Sequence, residues 1–284
     1  MLAILVLRKR NTVSLSISSN LQNQSLLQLS SHQSSLQKSF QQLSSGSAIN
    51  SAADNPSGLA IFQSLEAQVG GTDQGTSNVT DALNALNTAE GANSSQADAL
   101  QQLNVLSIQA SNDFLSTSDR ANLQTEANQI TQQINTTASQ TNFNGQPLEQ
   151  GQSYTVQAGA TEGNTVTAQT TNTNSATLGV SSIDLSSTSS AETAIGSSQA
   201  GIDNLSTQRA QLGAQEVSLG EQIDNNNIYS NNLQASASNI ADANIGQAST
   251  NAGSSELQSA ISLSVLKSSN NQPGFLTTGL AHSA

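Results

Sequence analysis

The chain has 284 residues, a net charge of −12 and only 9% charged residues, so its polarity comes from Ser, Thr, Asn and Gln, which make up nearly half of it. It has no cysteine, two histidines and 2% aromatic residues, which excludes a disulfide framework and a thiolate metal site and argues against a compact globular core. Seven basic residues predict no nucleic-acid binding, and no apolar run reaches the ~18 residues of a membrane span.

Residues 1–15 form an atypical N-terminal extension. The apolar stretch Leu2–Leu7 precedes the basic residues Arg8–Arg10. A secretory signal has the opposite order, with its basic residues first, so we expect no cleaved signal here. Met1 is the only methionine, and an internal start would need an alternative codon, for which Val13 and Leu15 are candidates.

The segment 21–43 is predicted to be a helix, because its apolar residues recur on one helical face. These residues are Leu21, Leu29, Leu36, Phe40 and Leu43. The remainder is mostly Ser and Gln, and an isolated helix of this kind is marginal in water, so it needs a packing partner. Glycine, asparagine and proline then predict a break over 45–57.

Two more helices are predicted before residue 140. The first runs from Leu59 to Ala110, with three weak points at Gly70, Gly71 and Gly75. Ser118–Asp119 is the predicted N-cap of the next helix. That helix carries a heptad pattern formed by Leu123, Ala127, Ile130 and Ile134.

The middle of the chain changes period. Phe143–Gly145 is a turn signal, and residues 154–158 and 165–168 alternate in the manner of strands, which predicts a β-hairpin. Residues 169–192 are rich in Thr, Ser and Asn, and we expect them to be irregular.

The last third returns to helical periodicity, and the predicted helix breaks near Gly246 or Gly253. Its seam contains Ile202, Leu205, Leu212, Leu219, Ile223, Leu233, Ala237, Ile240, Leu257, Ile261 and Leu266. The predicted fold is mainly α: a long antiparallel helical bundle or coiled coil made from both chain ends, with a small β-hairpin region. A simple coiled-coil rod and a disordered chain are the alternatives.

The sequence predicts no enzyme, cofactor or metal site. His32 falls on the polar side of the first predicted helix and His282 lies in the tail, so neither belongs to a catalytic constellation. Asp224–Asn227 resembles part of a calcium loop, but it lacks the required Gly and the terminal Glu.

Collinear motifs at both ends resemble bacterial flagellin over about residues 16–282. In the N-terminal half they are Leu43–Gly46, Ile49–Ala52, Gly58–Ile61, Thr88–Ala92, Ser118–Ala121 and Thr141–Gly145. In the C-terminal part they are Arg209–Ala214, which fits R-A-x-L-G-A, and Ser238–Ala243.

The resemblance implies the flagellin domain plan. A terminal coiled coil (D0) would take residues 16–44 and 247–284, and a helical bundle with a hairpin (D1) would take 45–168 and 193–246. Residues 169–192 would be a short remnant at the point where longer flagellins insert outer domains. The implied function is the structural subunit of the bacterial flagellar filament, supporting motility. The alternative is a hook–filament junction (hook-associated) protein.

In that reading the end helices are disordered in the monomer and fold on polymerisation. Burial of their apolar residues between subunits would then offset the backbone entropy that folding costs. The expected subunit-interface residues are Leu21, Leu29, Leu36, Phe40, Leu43, Leu257, Ile261 and Leu266. The resemblance also implies a homopolymer exported by the flagellar type III apparatus without a cleaved signal. Its implied partners are an export chaperone, the filament cap and hook-associated proteins.

Many flagellins are recognised by Toll-like receptor 5 through their D1 helices. The matching positions in this chain are Gln102, Leu106, Gln109, Leu123 and Glu126. Because Gln102 stands where the recognised members have Arg, we expect weak receptor activation.

Overall fold

The computed structural model describes residues 2–281, with side chains described for residues 20–269. This part of the chain forms five helices, which confirms the mainly α prediction. They are α1 (Leu2–Ser45), α2 (Pro56–Ala110), α3 (Thr117–Gln140), α4 (Thr188–Ala241) and α5 (Ile245–Ala281). No helix in the described part combines the length and apolar character that crossing a bilayer demands.

Four short strands form two antiparallel pairs between α3 and α4. Strand β1 (Asn142–Phe143) pairs with β2 (Gln146–Pro147), and β3 (Ser153–Gln157) pairs with β4 (Thr165–Gln169). The β1–β2 turn places Asn144 at φ 50° and Gly145 at φ 79°, the left-handed conformations that a tight Asn-Gly hairpin turn requires. Both the predicted turn and the predicted hairpin are confirmed.

The described residues group into two compact units. The terminal unit comprises Met1–Ser64 and Ala235–Ala284, and the central unit comprises Leu65–Gln234. In the terminal unit α1 packs against α5. Ser47 forms an antiparallel bridge with Asp242, so the end of α1 adjoins the start of α5 and the two helices run antiparallel.

Both predicted interruptions occur, and local chemistry explains their positions. Helix α1 ends at Ser45, and the next residue, Gly46, forms a left-handed C-terminal cap through its φ of 70° and the bond from its N–H to the Gln42 carbonyl (2.9 Å). The second interruption lies at residues 242–244, just before Gly246. Asn244 caps α5 by accepting the Gln247 N–H at 3.0 Å. Gly253 lies inside α5, so the break proposed there does not occur.

The N-cap predicted for α3 at Ser118–Asp119 is wrong by two residues. Ser116 is the cap: its hydroxyl accepts the Asp119 N–H, and the Asp119 carboxylate accepts the Ser116 N–H at 3.1 Å. This reciprocal capping box satisfies two backbone donors at once. The Ser116 bonds also lower the pKa of Asp119.

The glycines predicted to weaken α2 lie within a continuous helix, and two of them have a packing role. A Cβ added at Gly71 would lie 2.6 Å from the Ala160 Cβ, and one at Gly75 would lie 2.4 Å from the Ala158 backbone. The β3–β4 loop therefore packs directly on the α2 backbone, where only glycine fits.

Residues 169–192 are more ordered than the sequence predicts. Helix α4 begins within them at Thr188, and Leu178, Val180 and Leu185 are fully buried. These three side chains join a core made by α2, α3 and α4. A second core cluster lies between α2, α4 and the strands, around Leu86, Leu148 and other buried residues. Helical and strand periodicity could not predict these three buried side chains, because they lie between β4 and α4, outside any regular element.

Candidate assembly surfaces

The contact between α1 and α5 follows a heptad pattern made mainly of small and polar residues. On α1 the buried or half-buried positions alternate three and four residues apart: Gln22, Ser25, Leu29, His32, Leu36, Ser39 and Leu43. On α5 they are Ala248, Ala252, Ser255, Ser259, Ser262, Leu266 and Ser269. Alternating spacings of three and four place these residues along one coiled-coil seam. His32, expected on the polar side, is half-buried in this seam.

The larger apolar side chains of the two helices mostly point away from the seam. Leu27 is 72% exposed and Leu257 is 67% exposed. We call this set the outer apolar faces, and it comprises Leu21, Leu26, Leu27, Phe40, Leu257, Ile261, Leu263 and Val265. A single exposed apolar residue is ordinary, but α1 and α5 carry nine large ones, these eight and Ile245 at 51% exposed, which makes the two helices candidates for an interaction site.

The structure therefore divides the predicted interface residues into two groups. Leu21, Phe40, Leu257 and Ile261 belong to the outer apolar faces. The other four are half-buried in the α1–α5 seam: Leu29, Leu36, Leu43 and Leu266. Leu26, Leu27, Leu263 and Val265 were missed in the sequence, because they lie beside the seven-residue pattern rather than on it.

The connection between α1 and α2 is held by polar contacts within the terminal unit. Lys38 Nζ lies 2.9 Å from Asp54 Oδ1, and the Ser51 N–H donates to Asp54 Oδ2 at 3.0 Å. The bonds from Lys38 and Ser51 lower the pKa of Asp54 to about 2. Asn55 caps α2 by accepting the Gly58 N–H at 2.9 Å.

At one end of the central unit, the α2–α3 loop presents a fully exposed aromatic ring. Phe114 is 99% exposed, yet its N–H donates to Asn112 Oδ1 at 3.0 Å. The buried Arg120 guanidinium donates to the Ala110 carbonyl and to the Asn112 carbonyl (2.8 Å). The backbone around Phe114 is thus fixed, while its ring has no partner within the described chain.

A cleft of about 230 Å³ opens between α2 and the strands of the central unit. Its floor is buried and apolar, with Ala82 and Leu86 on α2. Its walls include the partly exposed side chains of Phe143, Tyr154 and Val156. The Tyr154 hydroxyl donates to the Pro147 carbonyl, so the ring presents carbon to the cleft.

Three glutamates and one arginine form an acidic cluster inside the central unit. Arg209 Nη2 and Nε donate to Glu90 Oε1 at 2.6 and 2.8 Å, and Glu149 accepts from the Thr173 hydroxyl. One oxygen of each of Glu90, Glu149 and Glu216 is buried without a hydrogen-bond partner. Burial, with repulsion from Glu90, raises the pKa of Glu149 to about 7 and also raises that of Glu216.

The five positions matched to receptor recognition lie partly inside the core. Gln102, Gln109 and Glu126 are exposed on α2 and α3. Leu106 and Leu123 are only 7% and 9% exposed and pack in the α2–α3–α4 core. These two positions come from the family resemblance alone, and their burial leaves little of either side chain exposed in this structure.

The chain matches two family models and several curated proteins. The model of the bacterial flagellin N-terminal helical region matches residues 17–153, and that of the C-terminal helical region matches residues 195–278. A flagellin of Halalkalibacterium halodurans is 31% identical over 241 residues, which are 84% of this chain and 89% of that protein. A flagellin of Clostridium tyrobutyricum is 38% identical over 129 residues, but the match spans only 34% of its length.

Among solved structures, a Vibrio parahaemolyticus chain described as a flagellar hook-associated protein matches with a TM-score of 0.57 and 14% identity. The match covers 66% of this chain and all of that one. At this identity the match shows a shared fold alone.

These matches define a structural subunit of the bacterial flagellar filament. The chain belongs to the bacterial flagellin family, in a minimal form without large outer domains. The predicted family and function are confirmed, and the filament that such subunits build is extracellular. The hook-associated alternative is less supported, because the curated relatives that match at 31% and 38% identity are flagellins.

Proposed function

We propose that this flagellin polymerises by burying the outer apolar faces of α1 and α5 against the same helices of other copies. One observation carries the proposal: the α1–α5 seam is filled largely by Ser and Ala, while Leu21, Leu27, Phe40, Leu257 and Ile261 remain exposed. Apolar burial contributes ~25 cal/mol per Å² of surface. These side chains stay exposed within one copy, so they gain little of this stabilisation there.

The arrangement explains why such helices suit a polymer. A seam of small residues lets two helices approach closely, but it removes little apolar surface from water. The larger side chains then supply most of the stabilisation only when further copies cover them. Contacts that run head to tail without closing produce a helical filament, with these helices lining its inner layer.

The test is seeded polymerisation of the double variant Leu257→Ser/Ile261→Ser. We expect few or no filaments by electron microscopy, with the helical content of the monomer close to wild type. The matched control is Gln258→Ser, an exposed polar position on the same helix, which should polymerise normally. Normal filaments from the double variant would contradict the proposal.

The domain assignment remains part of the proposal. D0 would comprise residues 16–44 and 247–284, and D1 would comprise 45–168 and 193–246. The predicted seam residues Leu29, Leu36, Leu43 and Leu266 would then hold each subunit's own pair together. Limited proteolysis of monomer and filament tests these boundaries. The protease should remove the D0 segments from the monomer and leave them intact in the filament.

We further propose that this chain has a purely structural role. We also propose that the flagellar type III apparatus exports it without a cleaved signal. An export chaperone, the filament cap and hook-associated proteins would be its partners. Within the described residues, no group of three or more His, Cys, Asp and Glu side chains is placed to hold a metal ion. The intact mass of filament subunits from the native organism tests signal cleavage and the status of residues 1–15 together.

Weak recognition by Toll-like receptor 5 also remains a proposal. The exposed candidates are Gln102, Gln109 and Glu126, and Gln102 lacks the charge that Arg supplies in recognised flagellins. Arg makes charge-assisted hydrogen bonds that an amide cannot. A reporter-cell assay comparing wild type with Gln102→Arg should show the variant to be the stronger activator.

A further inference from the structure

We propose that Phe114 of one copy inserts into the cleft between α2 and the strands of the next copy, making a head-to-tail contact that repeats along the filament. The proposal rests on the filament function described above and adds a specific pair of surfaces in the central unit. These surfaces are separate from the outer apolar faces.

Phe114 is held out into solvent by a well-ordered loop. Its ring is 99% exposed, the largest exposure among the large apolar side chains of the described residues. The loop backbone is nevertheless fixed on both sides of it: Arg120 donates to the Asn112 carbonyl before the ring, and the Leu115 N–H after it donates to the same carbonyl at 3.2 Å. A rigid loop that holds out an aromatic ring has little conformational entropy left to lose on binding, which is the property of an anchor residue at a protein interface.

The cleft matches an aromatic ring in size and in lining. Its volume of about 230 Å³ accommodates one aromatic ring, and Phe143 and Tyr154 supply aromatic walls. Aromatic rings prefer offset or edge-to-face contacts of the kind that such walls offer. Because the Tyr154 hydroxyl already donates to the Pro147 carbonyl, an entering ring would leave no hydroxyl unsatisfied.

The occupant must come from another copy. Ala82 in the cleft and Ala110 beside the loop lie on the same continuous helix, α2. At 1.5 Å per residue they are about 42 Å apart, so a chain cannot place Phe114 in its own cleft. A contact between two different surfaces is heterologous, and successive copies related mainly by translation along α2 form an open row.

The size of the contact explains why it would act only in a polymer. An aromatic ring buries roughly 150–250 Å², whereas a stable pairwise interface needs about 1,000 Å² or more. The Phe114 contact alone is therefore too small to hold a dimer. It would add to the burial of the outer apolar faces and set the register between successive subunits.

The absence of cysteine in the sequence allows a direct crosslinking test. Asp113→Cys lies beside Phe114 and leaves the ring intact, and Gln146→Cys replaces an exposed side chain at the rim of the cleft. The two single variants are mixed, copolymerised with excess wild-type chain and treated with a short bismaleimide. We expect crosslinked dimers that contain one copy of each variant, and none in the unpolymerised mixture.

The control pair is Asp113→Cys with Glu162→Cys, an exposed residue of the β3–β4 loop that does not line the cleft. Filaments that give no Asp113–Gln146 crosslink, or as much crosslink in the control pair, would overturn the proposal. Failure of the wild-type chain to polymerise would instead contradict the filament function, so the two failures are distinguishable.

A second measurement follows the ring itself. Phe114→Ser should raise the critical concentration for polymerisation about tenfold, while Phe114→Leu, which keeps an apolar side chain, should recover much of the loss. The free monomer should be equally stable in all three, because the Phe114 ring is fully exposed there. A Phe114→Ser chain that polymerises at the wild-type concentration would contradict the contact.

Discussion

The two units of this flagellin use their leucines in opposite ways. In the central unit, Leu86, Leu100, Leu103 and Leu205 are at most 1% exposed and form continuous cores. In the terminal unit, serine and alanine occupy much of the α1–α5 seam, and several leucines face outward. The central unit therefore buries its leucines within one copy, whereas under the proposed polymerisation the terminal unit would bury its exposed leucines against neighbouring copies.

The largest effect should come from removing a central-unit leucine. Leu100→Ala deletes a fully buried side chain, and such changes lower the free energy of unfolding by about 2–5 kcal/mol. Leu257→Ala, the matched change on an outer apolar face, should alter monomer stability by less than about 0.5 kcal/mol. Urea unfolding of both monomers, followed by circular dichroism, measures the difference, and equal losses would refute the contrast.

A second prediction concerns pH and the acidic cluster of the central unit. Burial raises the folded-state pKa of Glu149 to about 7 from an ordinary 4.5. Below pH 4.5 both the folded and unfolded states hold the proton, so its stabilising contribution is complete. As pH rises from about 4.5 to 7 the unfolded state ionises first, and the contribution is lost.

Glu149→Gln removes this ionisation and should therefore raise stability at pH 8 relative to wild type, by about 3 kcal/mol at 1.36 kcal/mol per pKa unit. Near pH 4.5 the two proteins should be similar. Glu162→Gln, at an exposed position, is the control and should follow wild type. An unchanged difference between Glu149→Gln and wild type across this pH range would show that Glu149 does not titrate as described.

The smallest of the three effects separates two capping assignments for α3. Ser116→Ala removes the observed capping box and should cost about 1 kcal/mol. Ser118→Ala, at the position that the sequence suggested, should be within about 0.5 kcal/mol of wild type. Thermal unfolding of the two variants side by side measures the loss of stability in each. A larger loss in Ser118→Ala than in Ser116→Ala would contradict the capping box and favour the cap predicted from the sequence.

Periodicity was sufficient to predict the helices and the hairpin, because both have regular patterns of apolar residues. Glycine, asparagine and proline located the break after α1, where Gly46 takes a left-handed conformation. The family resemblance then supplied the function. These successes share one cause: each depends on local pattern or on motifs that lie contiguous in the sequence.

The features that were missed depend on packing between distant segments. Much of the α1–α5 seam is polar, with Ser25, Ser39 and Ser262 at buried positions. A pattern of large apolar residues does not predict such positions. The sequence alone marks Gly71 and Gly75 as weak points of a helix. In the structure the β3–β4 loop packs against both of them. The buried carboxyl of Glu149 and the cleft near Tyr154 likewise arise only when α2, α4 and the strands come together.

In the proposed assembly, the outer apolar faces of α1 and α5 become buried only in the polymer. Hydrogen exchange of backbone amides in residues 20–45 and 248–269, measured in monomer and in filament, tests it most directly. We predict rapid exchange in the monomer and strong protection in the filament, with residues 99–106 of the central unit protected in both. Equal protection of α1, α5 and residues 99–106 in the monomer would contradict the claim.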